Sequence, residues 1–351
     1  MKNFFSVSAG LLLPIVFLSW TAVGAENQGP EFFLKIDSSE TLQYGADSQG
    51  NRIPDFSHCG YEGGDKPIPN VPVRVIVEPV EGDNTARIQA AIEYVSSLPL
   101  NADGFRGAVL LRRGRYILQG GLILRSSGVV LRGEGMDEDG TVLIAAGTDR
   151  RTLIRIAGKN DRSVEQAVRV QDEIIPVGSY SLRLENTEGL SVGDTVVITR
   201  PSTREWIEHI GMNRFGGGLK GQFDWKAGSR DIRWDRVIRA VDGGRIVLDA
   251  PLTAALEQRW GGGTVQKYQW PGRIHHIGVE NLRCVSEYNR ANPKDENHSW
   301  MVITIENAEN VWVRRLTAVH FAGSLAAVWE TAKWVTVEDC LSLEPVSEEG
   351  G

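Results

Sequence analysis

Apolar and polar residues alternate with period two in three segments that can be written one under another. They run from His276 to Cys284 (HIGVENLRC), from Asn310 to Ala318 (NVWVRRLTA) and from Trp334 to Ser342 (WVTVEDCLS). Each is two alternating apolar residues, a polar pair, then two more alternating small or apolar residues. Period-two alternation predicts a strand with one buried face, and the central polar pair predicts a sharp turn between two short strands. Stacked in this register, the buried positions form ladders: Ile277, Val311 and Val335; Val279, Val313 and Val337; Leu282, Leu316 and Cys340; Cys284, Ala318 and Ser342. Units of roughly 20–50 residues with a common core pattern are the mark of a solenoid. Short strands with β-branched ladders predict a parallel β-helix, in which each coil hydrogen-bonds to the coils above and below. The first interval is longer than the second, so Glu287 to Trp300 must leave the winding as a loop.

Upstream, Leu42 to Pro72 reads as an irregular capping segment and Val73 to Val77 as a strand. The polar turn Glu81 to Thr85 precedes Ala86 to Ser97, where Ile88, Ala91, Ile92 and Val95 recur at helical spacing. Asp83, Asn84 or Thr85 can cap that helix. A helix there would cover the open end of a β-helix, whose terminal coil exposes apolar side chains and unpaired edges. Strands follow at Gly107 to Leu111, Arg113 to Ile117, Gly121 to Leu124 and Ser127 to Gly135. The Gly82-Asp83-Asn84-Thr85 turn, the Ile88-Gln89-Ala90-Ala91-Ile92 helix and the strand running Val129, Leu131, Gly133, Gly135 resemble the N-terminal part of the pectate-lyase-like superfamily, above all its rhamnogalacturonase and epimerase type. The likeness covers about residues 81–156, and the coils at 273–343 agree with it. It implies a right-handed parallel β-helix acting on acidic or neutral polysaccharide by β-elimination, hydrolysis or epimerisation. The Asn-Thr-Asp, Asp-Asp, His-Gly and Arg-Ile-Lys elements of polygalacturonase-type hydrolases do not occur here in order, and the Trp-Ile-Asp-His element of extracellular pectate lyases is missing. The resemblance therefore implies a fold and a substrate class rather than a reaction.

Val168 to Val177, Ser181 to Leu184, Thr195 to Thr199, Arg236 to Val241 and Arg245 to Leu248 read instead as antiparallel strands, joined by turns such as Asp242-Gly243-Gly244. The expected organisation is a signal peptide (1–25), an irregular cap (26–80), first coils with a capping helix (81–157), an inserted small antiparallel β subdomain (158–268), further coils (269–343) and a tail (344–351). The fold class is all-β. A long loop, Pro201 to Arg233, interrupts the insertion and carries Trp206, His209, Phe215, Gly216 to Gly218, Phe223 and Trp225. No capping helix follows the last coil, so continuation of the solenoid, or an oligomer through the open C-terminal coil, is expected to cover it.

Lys2, the apolar run Leu11 to Trp20 and the small residues Val23-Gly24-Ala25 read as a secretory signal, which predicts a secreted or periplasmic protein with no membrane span after cleavage. A net charge of −7 gives no support to nucleic-acid binding. Three cysteines are an odd count. Cys284 and Cys340 fall in different ladders and read as core residues, not as a disulfide framework.

The chemistry concentrates in the Glu287–Trp300 loop, which holds three carboxylates, two cations, a histidine and two large aromatics. Asp295 and Glu296 can bind a cation or serve as acid and base, and His298 can move a proton. Arg290 and Lys294 can engage an acidic substrate, and Trp300 can stack on a sugar. His320 follows the next coil and is the fourth catalytic candidate. In the insertion, Trp206 and Trp225 are candidate substrate platforms, whereas Trp234 abuts a strand and reads as core. Glu338-Asp339 occupies a coil corner, and His275-His276 lacks a third ligand at metal spacing. The first expectation is a lyase cleaving a uronate-containing glycan, with Ca²⁺ as the cation such chemistry would use. The alternatives are a glycoside hydrolase using acids from the same loop and a non-catalytic glycan-binding module.

Overall fold

The computed structural model describes residues 34–40, 42–216 and 222–348. The expected signal peptide, Gly217-Gly218 and the end of the tail lie outside these residues. The chain is mostly β, and its main sheets are parallel. Three stacks carry the winding. The first aligns strands Val73–Val77, Gly107–Leu111 and Val129–Arg132 with the first halves of Ile274–Ser286 and Ala308–Val319, then with Lys333–Glu338. The second aligns Gly114–Leu118, Thr141–Ala145, the second halves of the same two long strands, and Leu341–Leu343. The third aligns Leu122–Leu124, Thr152–Ala157, Met301–Glu306 and Ala326–Val328.

The ladders appear at the register the sequence predicts. Ile277 pairs with Val311 and Val311 with Val335; Val279 pairs with Val313 and Val313 with Val337. Beyond the corner, Cys284, Ala318 and Ser342 are in register. Between the two halves of each coil the polar pair turns the chain through the left-handed region, with φ 59° at Asn281, 52° at Arg315 and 53° at Asp339. Gly278 sits under the Trp312 indole, where a Cβ would come within 2.2 Å of the ring. The apolar interior runs from Ile88 and Val109 to Phe321. Helix Thr85–Ser97 covers the first coil through Ile88, Ala91, Ile92 and Val95, all four buried. Its N-cap residue Asn84 makes no capping bond to the helix; Asp83 accepts from the Thr85 N–H at 2.9 Å instead.

The insertion forms an antiparallel sheet with its own apolar cluster, in which Trp234 is buried as expected. Its Asp242-Gly243-Gly244 turn has two consecutive positive φ angles, 52° and 83°, which glycine adopts without steric cost. Two expectations need correction. The single strand read at Val168 to Val177 is broken into the short pieces Val168–Arg169 and Ile174–Ile175. The loop from Pro201 contains a helix, Arg204–His209, because Thr203 accepts from the Trp206 N–H and caps it. Asp235 joins the insertion to the coils: it meets Arg273 at 2.5 Å, Lys333 at 3.0 Å and the Tyr268 hydroxyl at 2.8 Å. Burial alone would raise the Asp235 carboxyl, but Lys333 and Arg273 outweigh it and hold the group below its ordinary range.

The left-handed corner can be tested at Arg315, which is exposed. A β-branched residue at positive φ carries a penalty of about 1–2 kcal/mol. Arg315 already bears most of that cost, which glycine escapes; Arg315→Val is therefore expected to lose stability in urea unfolding by less than the full amount, and Arg315→Gly to lose none. Equal losses in the two variants would contradict the corner geometry.

Candidate functional site

The Glu287–Trp300 loop leaves the winding where the sequence expects, after the strand ending at Ser286 and before the one starting at Met301. It is fastened at both ends. The Glu287 N–H donates to the Ala145 carbonyl, and the Trp300 N–H donates to the Arg151 carbonyl. The loop thus lies against the 147–151 turn of the coil above. Together they line a cleft of about 540 Å³, whose walls are Gly147, Thr148, Glu287, Tyr288, Asn289, Asp295 and Asn297.

Most of the predicted catalytic groups hold this loop in shape. His298 is 0% exposed. Its Nε2 lies 3.0 Å from the carbonyls of both Asp295 and Val346, to which it donates, and its Nδ1 accepts from the Ser286 hydroxyl at 2.8 Å. Both ring nitrogens are hydrogen-bonded within the protein. Glu296 accepts from the Ser347 hydroxyl at 2.6 Å and meets Arg150 at 3.4 Å; these contacts, Ser347 foremost, lower its pKa. Trp300 donates its indole N–H to the Glu296 carbonyl, and Arg150 covers its ring at 4.9 Å. His298 and Glu296 thus belong to the hydrogen-bonded network that fastens the loop to the coils and the 346–348 segment. Sequence could not show these contacts, because Val346, Ser347 and Arg150 lie far away along the chain.

Asp295 differs, since it lines the cleft. Its Oδ2 accepts from the Asn289 N–H at 2.8 Å and its Oδ1 from the Asn297 N–H at 3.0 Å. These backbone donors hold the carboxyl below its ordinary range. Glu287, which the sequence reading passed over, is exposed on the same cleft, and its carboxylate makes no hydrogen bond or ion pair among the described residues. Tyr288 sits beside it, with Arg290 over its ring at 5.5 Å and His320 edge-on at 5.1 Å. His320 thus comes to the same side as the loop, its Nε2 3.2 Å from Glu344. Lys294 is exposed.

Of the loop's three carboxylates, Asp295 and Glu296 are engaged by backbone amides, Ser347 and Arg150, which leaves Glu287 short of the several oxygens a Ca²⁺ takes. Among the described residues there is also no group of three or more His, Cys, Asp or Glu arranged to hold a metal.

Trp206 and Trp225 are brought together, 6.2 Å apart and stacked. Arg200 lies over the first ring and Arg230 over the second, so the pair is a ladder of rings and guanidinium groups. Both rings lie outside the insertion's apolar cluster.

No family model matches the chain, and no curated protein sequence matches it. Among solved structures it is similar to the tailspike gp61 of Pseudomonas phage phi297, with 15% identity and a TM-score of 0.37 over 66% of this chain and 30% of that one. It is similar to the tailspike gp49 of Pseudomonas phage LKA1, with 13% identity and a TM-score of 0.35 over 73% and 39%. It is also similar to the Gp54 tailspike of Acinetobacter baumannii bacteriophage AP22, solved with a capsular saccharide, with 9% identity and a TM-score of 0.32 over 74% and 44%. The chain spans less than half the length of each of these tailspikes.

Two outcomes follow from the loop contacts. Removing the His298 donor leaves two buried carbonyls unpaired, which costs about 1–3 kcal/mol. His298→Ala is therefore expected to lower the melting temperature and open the loop to protease; a variant as stable and as resistant as wild type would contradict the fastening role. Asp295 and Glu296 both have lowered pKa values in the fold. Their hold is complete above their unfolded values, about 4–4.5, and is lost as pH falls through the lowered folded values. Cleavage within 287–300 should accelerate on going from pH 6 to pH 3 ahead of cleavage in the coils. Simultaneous release of both would place the acid sensitivity elsewhere.

Proposed function

We propose that this chain is an exported polysaccharide-active protein, a right-handed parallel β-helix that cleaves a uronate-bearing glycan in the loop cleft. The observation that carries the reading is the contrast between two carboxylates on one cleft. Asp295 is clamped in the ionised form by backbone N–H groups, whereas Glu287 is unpartnered. Glycosidic cleavage needs one carboxyl to protonate the leaving oxygen and a second, ionised, to act on water or on the sugar. Glu287 is the acid in this reading and Asp295 the carboxylate. Arg290 and Lys294, both exposed on the loop, supply charge for an acidic sugar, and His320 with Tyr288 borders the site.

We read hydrolysis ahead of β-elimination because two carboxylates share the cleft, while His298, one of the bases elimination could use, is enclosed with both nitrogens bonded. Loss of general acid catalysis costs about 10²–10⁴-fold. Glu287→Gln is expected to lower reducing-end release from polygalacturonate or a related acidic glycan by about that factor. Its fold should be unchanged, since the side chain is exposed. Full turnover in Glu287→Gln would remove the assignment. An ultraviolet rise from a conjugated double bond would select elimination, and tight binding without product would make the chain a binding module.

A further inference from the structure

A second cleft lies on another side of the winding. The loop leaves between the second and third stacks. This cleft opens instead where the chain passes from strand Ala326–Val328 of the third stack back to strand Lys333–Glu338 of the first. Three parts of the chain wall it: the 54–60 segment of the cap, Asp235 and the 249–253 segment of the insertion, and the last coil. Its volume is about 460 Å³. Ligand sites favour such junctions, with apolar walls and a few convergent polar groups.

The apolar wall is open to solvent. Phe56 is 61% exposed, Val328 50% and Val337 45%, and Trp334 beside them is half-buried. The polar part centres on Lys333, whose side chain is only 10% exposed. Its ammonium sits 4.1 Å over the Trp334 ring and gives one N–H to Asp235 Oδ1 at 3.0 Å. The remaining N–H groups make no hydrogen bond among the described residues, so oxygens of water or of a ligand in the cleft must take them. Asp249 is also half-used: its Oδ1 accepts from the Val237 N–H at 2.8 Å, and its Oδ2 has no hydrogen-bond partner among the described residues.

The charges select the ligand. Asp55, Asp235 and Asp249 line the cleft against Lys333 and Arg236. Arg236 gives N–H groups from its Nε, Nη1 and Nη2 to the carbonyls of Ala250, Asp235 and Pro251. Lys333 already meets Asp235, so no cation is left over for a carboxylate ligand. Hydroxyl groups suit the place: they donate to Asp249, accept from Lys333, and leave the C–H face of a sugar ring for Phe56. We propose that this cleft is a second saccharide site, which takes a neutral sugar while the loop cleft takes an acidic one. The glycan then carries both kinds of residue. The choice of a sugar rests on the reading of the chain as polysaccharide-active; the preference for a neutral ligand rests on the cleft alone.

Cys59 reports on the site, because its exposed thiol lies on the cleft wall, whereas Cys284 is buried. Alkylation of Cys59 by iodoacetamide, followed by mass spectrometry of its peptide, is measured with millimolar galactotriose, mannotriose or maltotriose, and with trigalacturonate. At least one neutral trisaccharide is expected to slow the reaction in proportion to the fraction of protein bound, and trigalacturonate to leave it unchanged. Phe56→Ala removes an exposed ring and should raise the concentration needed for protection about tenfold. No protection by any neutral trisaccharide would overturn the proposal. So would equal protection by trigalacturonate, or undiminished protection in Phe56→Ala. The readout is binding, taken in Glu287→Gln as well as in wild type. Failure here therefore leaves the cleavage assignment standing, and failure of that assignment leaves this site standing.

Discussion

The fold depends on one corner, repeated coil after coil. Asn281, Arg315 and Asp339 each take a left-handed conformation that most residues avoid, and only the in-register stacking of the flanking strands holds them there. Beside the corner a carboxylate has been taken out of water. Glu280 is 1% exposed, yet Arg132 at 2.5 Å, Arg314 at 2.7 Å and the Trp312 indole at 2.9 Å all point at it. Burial pushes its pKa up, and these donors reverse the push. Removing either arginine would leave the buried charge only partly compensated. The pairing therefore fixes which coil lies on which, and everything hung on the coils inherits that register.

The winding was legible in the sequence because β-branched residues at period two have few other solutions. The ladder from Ile277 through Val311 to Val335, and the four buried residues of the Thr85–Ser97 helix, could be read directly. The same pattern could not separate a buried corner from a solvated one. Glu280 and Glu338 occupy aligned positions, but the first is enclosed and the second is exposed on the last coil. Short helices such as Arg204–His209 escaped because one capping bond from Thr203 decides them, with too few residues for a period to show.

The loop was legible in the sequence, but the contacts its side chains make were not. Charged and aromatic residues crowded between two coils did mark the loop that borders the cleft. Their duties depend on partners elsewhere in the chain: the Val346 carbonyl for His298, Ser347 and Arg150 for Glu296. The buried part of the loop must satisfy its own backbone, and the His298 and Trp300 side chains are used for that. In the proposed cleavage the chemistry falls instead to Glu287 and Asp295, which line the cleft together.

The direct test of the central claim, that two cleft carboxylates direct water onto a glycosidic bond, is cleavage of an acidic glycan in ¹⁸O-labelled water followed by mass spectrometry. The account predicts one ¹⁸O atom in each newly formed reducing end. Products lighter by the elements of water and free of label, the signature of elimination, would contradict it.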